Sequence, residues 1–215
     1  MADISKKVSV EVVKRLPRYY RYLRDLADNG VTRISSQVLG DKMNITASQI
    51  RQDLNCFGGF GQQGYGYNVE ALYNAIGKIL GIHNGHKIII VGAGHLGQAL
   101  INYKSFEKRG FKIIGVFDVR EDLIGQNMGD LNVLHMDSLE EFVKKENPDI
   151  AVLSVPKSAA NNVAQQLVSC GIKGLMNFCY IDIDVPNDVC VENIHLSDTL
   201  MTLSYRLKNT LNNNI

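Results

Sequence analysis

The chain has 215 residues, 45% of them apolar and 21% charged, with a formal net charge of +1. This is ordinary globular composition, long enough for one or two buried cores. No run approaches the ~18 apolar residues of a membrane-spanning helix, so membrane-spanning helices are excluded. The opening residues MADISKKVSV hold no apolar signal region, and a cytoplasmic chain is expected. Cys56, Cys170, Cys179 and Cys190 form no C-x-x-C pair, so neither a disulfide framework nor a zinc site is signalled. Most of them are expected to be small buried apolar residues. Charge is uneven: residues 1–82 carry 11 Lys/Arg against 7 Asp/Glu, and residues 83–215 carry 12 against 15. A basic first third points to an anionic partner.

In chain order, residues 10–27 space Val12, Val13, Leu16, Tyr19, Tyr20, Leu23, Leu26 and Ala27 as one helix face. Ser9 is the expected N-cap, Pro17 an expected kink and Asn29-Gly30 the stop. In SSQVLGDKM, Ser35 or Ser36 caps a short helix with Val38, Leu39 and Met43 on its apolar side. After a turn at Asn44-Ile45, Thr46 caps ASQIRQDL, with Ala47, Ile50 and Leu54 inward. Ser48, Gln49, Arg51, Gln52 and Asp53 are left largely outward. Two short helices joined this way make a helix-turn-helix. Residues 58–67, GGFGQQGYGY, are too glycine-rich for a helix and read as a two-stranded flap, or wing. Asn68 caps a helix over VEALYNAIGKIL, and GIHNGHK (81–87) is the expected domain boundary.

Beyond it strands and helices alternate, which implies a parallel sheet. Strands are expected at 87–91, 112–117, 132–135, 149–155 and 173–178, and helices near 96–108, 138–146 and 158–170. A last helix puts Leu196, Leu200, Leu203, Leu207 and Leu211 on one face.

The run KIIIV leads into Gly92-Ala93-Gly94-His95-Leu96-Gly97, and a second strand ends in Asp118-Val119-Arg120. An apolar strand, G-x-G-x-x-G, a helix and an acidic residue about 20 positions on form the dinucleotide fingerprint. Gly92 makes the tight turn, Gly94 lets the pyrophosphate approach and Gly97 lets helix and strand pack. Asp118 favours ribose hydroxyls over a 2′-phosphate, hence NAD(H) over NADP(H), although Arg120 could turn toward a phosphate. Ser154-Val155-Pro156, after the fourth strand, offers an apolar wall for a nicotinamide ring. Asn177 and Tyr103 complete the cofactor-side candidates. His95 reads as an exposed filler. His135 and His195 are isolated, and no acid–base pair at a recognisable spacing supports catalysis. The alternatives are an NAD-dependent oxidoreductase with an accessory domain and a nucleotide-binding module that does not switch.

The chain resembles the Rex family of bacterial redox-sensing transcriptional repressors along nearly its whole length. The resemblance runs through RLPRYYRYL (15–23), SSQVLG (35–40), SQIRQDL, GYGYNV (64–69), VGAGHLGQAL (91–100), FDVR (117–120), SVP (154–156), GIKGLMNF (171–178) and VENIHL (191–196). It implies an α/β chain of three parts: a winged-helix DNA-binding domain at 1–82, a Rossmann NAD(H)-binding domain at 83–196 and an exchanged C-terminal helix at 197–215. It implies a homodimer whose operator DNA is released by NADH and retained in NAD⁺. The sequence departs from the family pattern at Gln52, Gln62 and Gln63, where basic residues are common. The N-F-x-P-V segment is Asn177-Phe178-Cys179-Tyr180-Ile181, without the proline, and His195 replaces an acidic residue.

On this reading Gln49 and Arg51 read bases, as adenine and guanine partners respectively. Arg18, Arg33, Ser35, Ser36 and Ser48 are phosphate contacts, with Gln52 on the same helix and Gln62, Gln63 and Tyr65 on the wing. Tyr103, expected two turns into the helix after the glycine loop, would report the position of the nicotinamide ring.

Overall fold

A computed structural model describes residues 8–58, 60–62 and 65–212. The chain divides into two compact units, Met1–His83 and Asn84–Ile215. Among the described residues no helix is long and apolar enough to cross a membrane.

The first unit runs α1 (Val10–Asp28), β1 (Arg33–Ile34), α2 (Ser36–Met43), α3 (Ala47–Asn55), β2 (Gly61–Gln62), β3 (Gly66–Asn68) and α4 (Val69–Ile79). Each helix starts at a side-chain cap that satisfies an otherwise orphaned amide. Ser9, Ser35, Thr46 and Asn68 accept from Val12, Val38, Gln49 and Ala71 respectively. Asn44, in the left-handed region at φ 55°, closes α2 and turns the chain into α3. The flap pairs β2 with β3, and β1 joins β3 on its other side, giving a three-stranded antiparallel sheet in the order β1-β3-β2. Leu16, Tyr19, Leu23, Leu39, Met43, Ile50, Leu54, Leu72 and Ile76 fill the core between the helices. Val13 and Val38, spaced as core residues, are exposed instead.

Asp53 overturns another expectation. It is fully buried rather than outward. Arg15 Nε and Nη2 donate to its two oxygens at 2.7 and 2.8 Å, Tyr19 Oη donates at 2.9 Å and Gln49 Nε2 at 2.8 Å. A buried carboxylate needs such partners, and Arg15 lies 38 residues away. Burial raises the Asp53 carboxyl, but the bonds from Arg15, Gln49 and Tyr19 together outweigh it and hold the group below its ordinary value. Burial and the bond to Asp53 push the Tyr19 hydroxyl up.

The second unit contains β4 (His86–Val91), α5 (His95–Ile101), β5 (Phe111–Asp118), β6 (Asn127–Met128), β7 (Leu131–His135), α6 (Leu139–Glu146), β8 (Ile150–Leu153), α7 (Lys157–Ser169), β9 (Gly174–Asn177), β10 (Cys190–Asn193) and α8 (Leu196–Asn212). Seven strands form one sheet, ordered β10-β9-β8-β4-β5-β7-β6, parallel except for β6. β6 and β10 are edge additions to the five expected strands. α5 is shorter than expected. It ends at Ile101, where Asn102 caps it and turns its own amide back to Gln98 O at 2.9 Å. Tyr103 therefore lies beyond the helix, edge-on to Phe106.

On one sheet face Leu139 of α6 and Ala164 and Leu167 of α7 pack with Ile89, Phe117 and Leu153 of the strands. On the other face Ile88, Ile90 and Val152 pack under Leu100 and Ile101 of α5. Cys179 is buried and Cys170 half-buried, and burial pushes both thiols up. Cys56 and Cys190 are exposed, against expectation: one caps the end of α3 and the other opens the edge strand β10.

Candidate nucleotide cleft and nucleic-acid interface

In a parallel sheet, ligands bind outside the carboxyl ends of the strands, where the strand order reverses. Here the order reverses at β4, flanked by β5 and β8. A cleft of about 520 Å³ opens there. Its floor is Gly92 and Gly94, its rim Asp118, Val119 and Arg120, and its far wall Ser154, Val155 and Pro156. Val91, Met136, Ala159 and Val163 complete an apolar lining. Sequence reasoning missed these four. Ala159 and Val163 sit four apart on the first turns of α7, a spacing that could have marked them.

The glycines have separable roles. Gly92 sits at φ +104°, and a Cβ there would strike Ser154 O. A Cβ at Gly97 would strike Gly92 O. At Gly94 a Cβ would meet nothing within 4 Å. The protein's own packing therefore does not require a glycine at 94, and the backbone there is open to close approach from the cleft. Ser154 Oγ donates to Gly92 O at 2.8 Å, pinning the loop to the end of β8.

Asp118 is 9% exposed. Its Oδ2 accepts from Ala93 N at 2.7 Å, and its Oδ1 from Val119 N at 2.8 Å and Arg120 N at 2.9 Å. A carboxylate has about four acceptor sites, so one remains for a hydroxyl at the cleft. Arg120 Nε lies 3.6 Å from Asp118 Oδ1 and its side chain is half-exposed.

The remaining cofactor-side candidates fall elsewhere. Ala93 is buried beneath the loop, and His95 and Leu96 are exposed on the first turn of α5. Asn177 is fully buried and is not among the residues lining the cleft, and its amide is engaged by other partners. Its Nδ2 donates to Ile181 O and Asn193 Oδ1 at 2.7 and 2.8 Å, and its Oδ1 accepts from Cys179 N at 2.9 Å. Tyr103 lines a different, apolar groove of about 470 Å³ with Ile88, Phe106, Ile150, Met176 and Val191. It does not touch the cleft of its own chain.

In the first unit the outer face of α3 and the flap present the polar candidates. Ser48, Arg51 and Gln52 are exposed and Gln49 is half-buried. Arg51 Nη1 donates to Ser36 Oγ at 2.9 Å, joining α3 to α2. Ser48 Oγ lies 2.9 Å from Thr46 Oγ1, and Ser35 is occupied as the cap of α2. Arg33 donates to Tyr65 O at 3.2 Å and stacks over the exposed Tyr65 ring. Arg18 lies over the Tyr22 ring on α1. Gln62 is in β2, although its side chain, like all of Gln63, lies outside the described residues.

Comparison with known proteins agrees with this division. A "Putative DNA-binding protein N-terminus" family model matches residues 7–55, and a "CoA binding domain" model matches residues 83–181. The redox-sensing transcriptional repressor Rex of Thermoanaerobacter pseudethanolicus is 55% identical over 201 residues, 94% of this chain and 90% of that protein. The crystal structure of RSP in complex with β-NAD⁺ and operator DNA matches with a TM-score of 0.90 at 53% identity, over 96% of this chain and 95% of that one. RSP in complex with β-NADH matches at 0.89 and 50% identity, over 96% and 97%. With identity of this order running through both the helix-turn-helix and the nucleotide cleft, the chain belongs to the Rex family of redox-sensing transcriptional repressors.

Proposed function

We propose that this protein binds operator DNA as a homodimer in the cytoplasm and releases it when NADH occupies the cleft between β4 and β8. The observation that carries the reading is the space kept open at Gly94 beside an anchored Asp118, in a chain whose other unit is a DNA-binding fold. Residues 1–82 act as the output, 83–196 as the input and 197–215 as the dimer element.

The cleft's residues suit NAD(H). Gly94 and the start of α5 receive the pyrophosphate, and Asp118 takes a ribose hydroxyl and repels a 2′-phosphate. Val155, Pro156, Ala159 and Val163 face the nicotinamide end. The oxidised ring is charged and the reduced ring is neutral. An apolar wall penalises the charged form because it loses hydration there, so NADH is the tighter ligand and drives the switch. The chain assigns no residue to catalysis.

Leu196, Leu200, Leu203 and Leu207 of α8 are all more than half exposed, and the apolar groove beside Met176 and Val191 is open. An exchanged helix in a homodimer would cover both. The dimer also fixes two recognition helices for half-sites about one helical turn apart. The test is operator binding with NADH, with NAD⁺ and with neither, alongside an assay for nucleotide turnover. Release by NADH without turnover supports the switch. Turnover without an effect on DNA identifies an oxidoreductase, and neither effect leaves a nucleotide-binding module that does not switch.

A further inference from the structure

We propose that Asp53 is a positioning residue for base recognition: it holds the Gln49 amide nitrogen-inward and so presets Gln49 to read adenine. The proposal rests on the reading of α3 as the helix that enters the DNA groove.

Gln49 is the third residue of α3, in the first turn after the Thr46 cap. The N-terminal residues of a recognition helix are the ones that reach base edges. Thr46-x-x-Gln49 has capping-box spacing, in which the glutamine would fold back on the cap residue's amide. Only half of that box forms: Gln49 N donates to Thr46 Oγ1 at 3.2 Å. The Gln49 side chain turns instead to Asp53, one helical turn on, with Nε2 to Oδ1 at 2.8 Å.

The orientation of that amide follows from chemistry. Asp53 is fully buried, and the bonds from Arg15, Tyr19 and Gln49 together hold its carboxyl below its ordinary value. An ionised carboxylate only accepts. A flipped Gln49 would set its carbonyl against Asp53, acceptor against acceptor, and leave a buried lone pair empty. Each Asp53 oxygen takes two donors: Oδ1 from Arg15 Nη2 and Gln49 Nε2, Oδ2 from Arg15 Nε and Tyr19 Oη. Gln49 Oε1 and one Nε2 hydrogen have no partner among the described residues. An acceptor beside a donor is the complement of adenine N6 and N7. Guanine presents two acceptors there, N7 and O6, and would set O6 against Gln49 Oε1. A glutamine free to rotate could turn its nitrogen toward O6. One tethered by Asp53 cannot, so the buried carboxylate sharpens the preference for adenine without touching DNA.

The experiment uses full-length protein and a duplex selected from a random library. Each base pair is replaced in turn and affinity is read by fluorescence anisotropy. Gln49→Ala is expected to erase an adenine-over-guanine preference of roughly 5- to 150-fold at one position per half-site, the range of one good bidentate pair. Asp53→Ala is expected to reduce that same preference to within about threefold, with nonspecific duplex affinity retained, and to add nothing in a Gln49→Ala background. A purely structural Asp53 would lower specific and nonspecific affinity together and leave the preference intact, overturning the proposal. If Asp53→Ala does not fold, Asp53→Asn keeps the side chain's shape while offering a donor to a flipped Gln49, and it is expected to narrow the adenine-over-guanine preference; an unchanged preference overturns the proposal. The adenine contact itself is tested in wild type. Replacing the contacted adenine with 7-deazaadenine, or with purine lacking the N6 amine, is expected to weaken wild type each time and Gln49→Ala neither time. Insensitivity of wild type to either analogue overturns the proposal. If Gln49→Ala changes no position at all, the groove-reading assignment of α3 fails, and this proposal with it.

Discussion

Asp118 Oδ2 accepts a 2.7 Å hydrogen bond from the amide of Ala93, 25 residues earlier, so the acidic end of β5 holds the glycine loop that follows β4. One carboxylate thus shapes the loop and, on the proposed function, also receives a ribose hydroxyl. NADH is expected to bind at least about tenfold more tightly than NADPH, a difference of ~1.4 kcal/mol. Asp118→Ala should weaken NADH and narrow that gap. Isothermal titration with both nucleotides checks this, and equal wild-type affinities would shift the role to Arg120.

Two of the loop glycines, Gly94 and Gly97, should separate in mutagenesis. Gly97→Ala drives a Cβ into Gly92 O and is expected to lower the melting temperature as well as NADH affinity. Gly94→Ala meets no protein atom, so stability should hold or rise by a few tenths to ~1 kcal/mol, while NADH affinity falls. A Gly94→Ala variant with wild-type NADH affinity would mean that no phosphate approaches the loop there.

On the DNA side Arg51 and Arg18 should behave differently. Arg51 projects from α3, and Arg51→Ala is expected to relax base preference at one position by ~1–3 kcal/mol. Arg18→Ala should weaken all duplexes about equally and reduce the salt slope by about one. Anisotropy across a salt series reads both. An unchanged preferred sequence in Arg51→Ala would remove it from base reading.

Truncation before Ser197 removes all but the first residue of α8, with its exposed Leu200, Leu203 and Leu207. An apolar helix face left in water needs a cover. Sedimentation should show monomers or aggregates in place of dimers. A well-folded dimer after truncation would place the dimer contact elsewhere.

Local chemistry made much of this legible before any coordinates. Ser9, Thr46 and Asn68 cap helices because a short side-chain oxygen before an apolar period has little else to do. Gly92, Gly97 and Asp118 announce a βαβ turn by spacing alone. Long-range pairing was not legible. Asp53 reads as a surface charge from its neighbours, and Arg15 and Tyr19, 38 and 34 residues away, satisfy it in the interior. Asn177, a cofactor-side candidate, bonds Ile181, Asn193 and Cys179 through its amide, partners that no local pattern marks. β6 has two residues, too few for a period to show, and β10 reads Cys-Val-Glu-Asn along a mostly exposed edge, with no apolar run to mark it. Tyr103 falls outside its expected helix because Asn102 caps α5 early, an event that leaves no mark in the apolar pattern.

The central claim is that nucleotide and operator compete through one conformational equilibrium, and reciprocity tests it most directly. Equilibrium coupling is symmetric: if NADH weakens operator affinity by some factor, operator must weaken NADH affinity by the same factor. The measurement pairs anisotropy of labelled operator at increasing NADH with NADH titrations in the presence and absence of operator. The expected result is a matched factor of roughly 5- to 150-fold, ~1–3 kcal/mol, with NAD⁺ leaving the operator bound. Tight NADH binding with unchanged operator affinity would contradict the account and leave the nucleotide a structural ligand or a substrate.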